Sequence, residues 1–265
     1  RIMNWKRAKT LFIIVFILVN ISLIVIYIDK VNKSHINESK DENKVDFKQE
    51  EITIPQHLQS VDGVKMQLLT ARSKDFSSYA KDKDDVSAES SGRVAKGDMK
   101  DAISIKNNAF TDLKKFIVDD VYKGTQYQMS DVSNDKVTFE QTYQSFPIMN
   151  NNKAQLTFNI NDDEEATDYR QTAMQTIEPS KGENNSKKQV ISARSAIEAL
   201  YYNRYLKQDD EVTKLRLGYY TVVKEPNVQV LEGNWEIKVK HAGEDKVKTY
   251  YVEAVSKSPK IIEES

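Results

Sequence analysis

Three histidines, no cysteine and one run of four acids are the side chains from which a reaction centre would have to be built. His35, His57 and His241 stand far apart in the chain. The lack of cysteine removes a thiolate nucleophile, a thiolate zinc site, a disulfide scaffold and a thioether-linked lipid. No nucleophile elbow, phosphate-binding loop, dinucleotide fingerprint or His-Glu-x-x-His zinc motif occurs. The run Asp162-Asp163-Glu164-Glu165 suggests calcium by composition, but it has neither the alternating ligand spacing nor the glycine of an EF-hand loop. It joins two strand-like segments, where acids are simply solvated. His241 closes another such segment beside a turn, with no second histidine and no obvious carboxylate at ligand spacing. It is expected to be an exposed loop histidine and not a metal ligand. Paired carboxylates for glycoside chemistry need only spatial proximity, and nothing in the sequence selects a pair. No catalytic residue, metal site or cofactor is assigned, and the chain is expected not to be an enzyme.

Recognition chemistry is better represented. Seven of the 13 tyrosines (Tyr201, Tyr202, Tyr205, Tyr219, Tyr220, Tyr250 and Tyr251) lie in the C-terminal part, with Trp235 among them. Adjacent residues of a strand point to opposite faces, so one member of each pair 219/220 and 250/251 can face a covering helix. The outward members are candidates for a partner surface, because tyrosine is enriched at interfaces. β-propensity and helix–sheet packing account for the same residues without a partner. A second candidate is Asn20, which with Phe16, Leu23 and Tyr27 falls on one face of an otherwise apolar helical stretch. An amide in hydrocarbon can bond a neighbouring helix, for about 1–2 kcal/mol at most, or can merely be tolerated as an uncharged polar group.

That stretch, residues 11–28, holds 18 uncharged residues, of which only Asn20 and Ser22 have polar side chains. As a helix it is about 27 Å long, close to a bilayer's hydrocarbon thickness. Arg1, Lys6, Arg7 and Lys9 precede it without an acid, whereas residues 29–51 carry five lysines and seven acids. The positive-inside rule puts the N-terminus in the cytoplasm and the remainder outside. The stretch exceeds a usual signal-peptide core and lacks a small-x-small cleavage site after it, so an uncleaved single-pass anchor is expected. The whole chain of 265 residues has 39 basic and 40 acidic residues, 30% charged and 39% hydrophobic. Such a composition can bury a core and lacks the basic excess of a nucleic-acid binder. Beyond residue 30 there are 34 basic and 39 acidic residues, a net charge of −5, which disfavours tight binding to anionic polymers or headgroups.

The elements follow from periodicity. Residues 1–10 form the tail, 11–28 the membrane helix and 29–60 a polar stalk. A first α+β unit spans 61–178. It opens with a strand near 63–70, followed by an exposed Ser/Asp/Lys-rich loop over 73–97 and a short strand at 102–105. Asn107-Asn108 caps a helix whose stripe is Phe110, Leu113, Ile117 and Val121, stopped by Gly124. Strands follow around 137–143 and 154–160, with a weaker one over 167–177. Residues 179–188 are a linker by composition. The second unit, 189–265, repeats the order: a helix over 193–206 capped by Ser192, then strands at 215–223, 228–241 and 247–256. The fold class is α+β, each unit an antiparallel sheet with a helix across one face.

Several segments, read in order, resemble one family. Met3-Asn4-Trp5-Lys6-Arg7-Ala8-Lys9-Thr10 runs directly into the membrane span. Ser73-Lys74-Asp75-Phe76-Ser77-Ser78, Phe146-Pro147-Ile148 and the run from Ala196 through Tyr205 follow. Leu217-Gly218-Tyr219-Tyr220, Asn234-Trp235-Glu236-Ile237 and Tyr250-Tyr251-Val252-Glu253-Ala254 carry the likeness to the C-terminus. Together they resemble the YycI (WalI) family of Gram-positive bacteria, staphylococcal members above all. None of these segments is catalytic; their number and order make the resemblance. It implies a single-pass protein of the cell membrane with a two-part extracellular α+β domain. It implies a YycH-like sister protein as partner and a WalK-like (YycG) sensor histidine kinase as target. The two-component system so regulated controls cell-wall metabolism, and staphylococcal members support kinase activity. In this family the membrane helices share in contact with the kinase. The alternative left by the residues themselves is a surface-anchored module that binds or hydrolyses wall polymer.

Overall fold

The computed structural model describes residues 44–264 together with Phe16, Val19 and Asn20. The chain divides into residues 1–45 and a compact unit of residues 46–265. In the first part Phe16, Val19 and Asn20 are helical and exposed, and the Asn20 amide donates to the Phe16 carbonyl at 2.8 Å. The rest of the expected membrane helix, with Leu23 and Tyr27, lies outside the described residues. Among those described, no helix is long and apolar enough to cross a membrane.

Alternating apolar and polar residues make the second part a strand-rich, mixed α/β structure. In chain order the elements are β1 (Lys65–Met66), β2 (Leu69–Ser73), α1 (Ser77–Lys81), β3 (Val86–Glu89), β4 (Val94–Ser104), α2 (Thr111–Asp120), β5 (Tyr127–Val132) and β6 (Lys136–Tyr143). There follow β7 (Phe146–Pro147), β8 (Gln155–Ile160), β9 (Glu165–Gln171), β10 (Met174–Pro179), β11 (Lys188–Gln189), α3 (Ala193–Tyr202), β12 (Glu211–Lys224), β13 (Val228–Lys240), β14 (Val247–Glu253) and β15 (Ile261–Glu263). One sheet runs β3-β4-β9-β8-β6-β5, with β7 beside β6. The other runs β10-β2-β13-β14-β15, with β12 beside β13, and β1 pairs separately with β11. All these strand pairs are antiparallel.

Each sheet turns its apolar side chains to a helix. Leu113 and Ile117 of α2 pack with Phe139, Leu156, Phe158 and Tyr169 of the first sheet, all buried. Phe139 and Phe158 meet edge to face at 6.0 Å, a favoured aromatic geometry. On the second sheet α3 packs on β13 and β14, burying Ala196, Ile197 and Leu200 with Trp235, Ile237 and Val252. The Trp235 indole N–H donates to the Ile191 carbonyl at 3.0 Å, so this fully buried ring leaves no donor unpaired. Ser192 caps α3 as expected, its hydroxyl accepting from the Ser195 N–H at 3.1 Å.

Several expectations change. The 73–97 segment is not a loop but α1, β3 and the start of β4. Its core residues are Phe76, Val86 and Ala95, too few and too small to mark the pattern among the Ser, Asp and Lys residues. Asn107 does not cap α2: it takes a left-handed φ of 59° in the preceding tight turn, and Phe110 holds the N-cap position without a side-chain bond. The second-unit helix ends at Tyr202, not 206, where the Asn203 N–H returns to Ala199. The weak strand over 167–177 is two strands in different sheets, β9 and β10, broken at Thr172 and Ala173. β13 outruns β14, so its first residues, Val228–Leu231, pair instead with β2, which β10 then flanks. The second sheet therefore draws strands from both expected units. Gly124 follows α2 within a tight turn, where any Cβ would strike the Ile117 carbonyl.

Candidate functional site

On each sheet the residues between the helix-facing ones are polar, and these two polar faces meet. Arg216 of β12 stands directly opposite Glu236 of β13 and reaches across to Glu140 of β6. Its Nε and Nη2 donate to Glu236 at 3.0 and 2.6 Å, and its Nη1 and Nη2 donate to Glu140 at 2.6 and 3.1 Å. The Arg216 side chain is 20% exposed, those of Glu140 and Glu236 only 7% and 2%. Burial works against the guanidinium charge, but the two carboxylates outweigh it and raise the arginine's pKa further above its usual range. Two bidentate pairs on one guanidinium fix the geometry as well as the charge. The seam opens into a cavity of about 240 Å³ that Lys214, Lys238, Asp131 and Glu264 also line.

The tyrosines border this seam or lie behind it. Tyr251, opposite Glu236, stacks on Tyr220 with ring centroids 4.0 Å apart and planes at 22°. Burial, then the Glu236 and Glu264 carboxylates, raise the Tyr251 pKa well beyond its usual range. Tyr219 meets Tyr143 edge-on at 6.0 Å, and burial pushes its pKa up to about 12. Tyr250 packs against Tyr205 at 5.3 Å. The expected outward surface is thus corrected for three of its four candidates, since Tyr219, Tyr250 and Tyr251 are 3%, 2% and 1% exposed. Adjacent tyrosines do alternate, but the helix side and the seam side of this sheet are both covered. Tyr220 is half-buried, and among the described residues the openly exposed tyrosine is Tyr202, at 61%.

His241 is also corrected. It is no exposed loop residue: its side chain is 12% exposed, with Nδ1 2.8 Å from Asp210 Oδ2 and Nε2 2.8 Å from the Tyr250 hydroxyl. The carboxylate partner lies 31 residues upstream, outside any local motif. Strand register could have found it, because Glu211 pairs with Lys240 and so sets Asp210 beside His241. Arg216 and its two glutamates went unnoticed for the same reason: each is an ordinary polar residue of an alternating strand. The acidic run at 162–165 turns between β8 and β9. Among the described residues no three His, Cys, Asp or Glu side chains are grouped to hold a metal.

What this arrangement does chemically is clamp. Four of the five Arg216 N–H groups are committed to carboxylates, and the buried tyrosines keep their protons at neutral pH.

Residues 31–255 match the family model described as YycI protein. No curated protein matches the chain. Solved structures similar to it include the following two. One is an uncharacterized protein from Eubacterium rectale ATCC 33656, at 9% identity and a TM-score of 0.48, covering 80% of this chain and 91% of that one. The other is the Bacillus megaterium YpeB C-terminal domain, at 14% identity and a TM-score of 0.37, covering 77% and 92%.

Proposed function

The chain belongs to the YycI protein family, and from that premise we propose that it is a non-enzymatic, membrane-anchored regulator of a WalK/WalR two-component system. It acts with a YycH-like sister protein and supports the activity of a WalK-like kinase. Residues 11–28 anchor it with the N-terminus inside, and residues 46–265 stand outside the cell. The observation that carries this reading is the family match over residues 31–255. The charged seam suits the role, because a regulator needs a rigid body of defined shape more than a reaction centre. The span contributes to kinase contact through the face of Phe16, Asn20, Leu23 and Tyr27. The Asn20 amide spends one N–H within its own helical turn, so its effect on pairing is expected at the low end of about 1–2 kcal/mol.

The test is capture of tagged full-length protein from membranes in mild detergent, paired with deletion of the gene. A WalK-like kinase and a YycH-like protein should co-purify, and WalR-dependent transcription should fall on deletion. Retrieval of neither, with unchanged transcription, would overturn the reading. Clearing of a peptidoglycan zymogram would replace it with the wall-polymer alternative.

A further inference from the structure

The segment by which the chain enters the folded unit is held at one corner. Thr53 donates its N–H to the Asp210 carbonyl at 2.9 Å and accepts from the Val212 N–H at 2.8 Å. The Asp209 N–H donates to the Glu51 carbonyl at 3.0 Å. The Asp210 side chain sets the shape of that corner from within. It is 2% exposed, and its carboxylate accepts from the N–H groups of Lys207 at 2.8 Å and Ala242 at 3.0 Å. The remaining partner of the carboxylate is the His241 ring, whose far nitrogen meets the Tyr250 hydroxyl. The ring borders a cavity of about 270 Å³.

We propose that His241 is a proton-operated latch: its protonation tightens the Asp210 corner and with it the hold on residues 51–53. Imidazole is the side chain whose charge ordinarily changes between about pH 5 and 8. A neutral ring has one N–H for two oxygen neighbours, so Nδ1 donates to Asp210 while the Tyr250 hydroxyl donates to Nε2. An imidazolium donates from both nitrogens, and its bond to the carboxylate becomes charge-assisted, roughly twice as strong as a neutral one.

Other charged and polar groups also face the ring. Arg204, Tyr205 and Lys207 approach from the segment after α3, and Glu244 from the turn after β13. Lys248 of β14 lies 3.8 Å from Glu244 and 3.6 Å from Glu263 of β15, which sets these charges against one another. Burial opposes ionisation of Asp210, but the N–H groups of Lys207 and Ala242, with His241, hold its pKa below the usual carboxylate value. Burial, assisted by the surrounding acids, pushes the Tyr250 phenol up to about 12. In a regulator, such a latch would make the hold on the segment that enters the extracellular part depend on external pH. That consequence rests on the proposed function; the latch itself does not.

The test is hydrogen exchange by mass spectrometry on the full-length chain in detergent, with labelling times scaled to the intrinsic rate at each pH. Protection over residues 51–54 and 210–213 should fall about fivefold from pH 5.5 to 8. Residues 137–141 of the other sheet should stay constant. His241→Gln should abolish the difference. A pH-independent wild type, or an unchanged response in a folded His241→Gln variant, overturns the latch. Should that variant not fold, isotope-labelled histidine in the wild type decides: a His241 ring that keeps one charge state from pH 5 to 8 overturns it equally. Failure here leaves kinase capture untouched, and failure of capture leaves the exchange result standing.

Discussion

The sheet beneath α2 and the sheet beneath α3 both bury one face against a helix, yet they differ in what else they bury. The first encloses Phe139, Leu156, Phe158, Tyr169 and the apolar stripe of α2, with the polar Gln141, Gln171 and, at the seam, Glu140. The second encloses Trp235, Ile237 and Val252, but also Glu236, Asn234, Gln229 and, at its margin, Asp210. Apolar burial is non-directional, so the face of the first sheet beneath α2 gains stability without depending on one arrangement. Buried charges tolerate only the geometry in which each finds its partner. The seam between the sheets, with the Asp210 corner of the second, is thus the part of the molecule whose shape is set by specific pairs, and where a change of charge has structural consequences.

Removing one partner from the seam breaks this contrast most severely. Arg216→Met strands two buried carboxylates and should cost about 3–5 kcal/mol, read as a lowered urea midpoint. Replacing the whole triad, Arg216→Met with Glu140→Leu and Glu236→Leu, should recover most of that loss, because a packed apolar cluster has no desolvation to offset. If the triple variant is as unstable as the single one, the cost lies in packing and the two sheets are alike. Leu156→Ala in the first sheet should cost about 2–5 kcal/mol through lost transfer energy and the cavity left behind. No companion substitution short of refilling the volume should rescue it. The same denaturation series checks both.

pH probes the second sheet next. Tyr219 and Tyr250 are held up to about 12, whereas an unfolded tyrosine ionises near 10. Their contribution is fully present below about pH 10 and is lost as pH rises from 10 to 12, since the unfolded chain releases its protons first. Asp210 works from the other end: its depressed pKa gives stability that is present above the ordinary carboxylate range and lost as pH falls below it. Melting temperature against pH should fall at both extremes. Asp210→Asn should flatten the acid limb and leave the alkaline limb in place.

The helix-facing apolar stripes of both sheets were the legible part of the sequence, and for a physical reason. Phe110, Leu113, Ile117 and Val121 announce α2, and the Leu156–Phe158–Ile160 alternation announces β8, because apolar burial writes itself as local periodicity. The long strands of the second sheet were equally plain. Their polar faces were not, since a seam residue such as Arg216 and a solvated lysine occupy identical places in the pattern. Pairings such as β2 with β13, or Asp210 with His241, depend on long-range register, which composition does not record. The tyrosine pairs misled because alternation predicts opposite faces correctly and says nothing of whether either face is open. The start of α2 misled because two asparagines resemble a cap, while the chain uses one of them in a left-handed turn.

The smallest effect concerns how the two covering helices begin. At α3 the N-cap Ser192 has extended backbone, φ −64° and ψ 155°, and its hydroxyl takes the Ser195 N–H that would otherwise lack a partner. At α2 the equivalent position is Phe110, which has no side-chain acceptor and is buried in the apolar cluster. One helix is started by a polar bond and the other by packing, which repeats in miniature the difference between the sheets. Ser192→Ala should therefore cost about 1 kcal/mol, while Ser192→Asp should be nearly neutral, because a carboxylate also accepts from that N–H and suits the positive end of the helix dipole. Urea unfolding of the three proteins at neutral pH measures both. A cost in Ser192→Ala within a few tenths of a kcal/mol would show that packing on β13 and β14 alone fixes α3, and the two helices would then start in the same way.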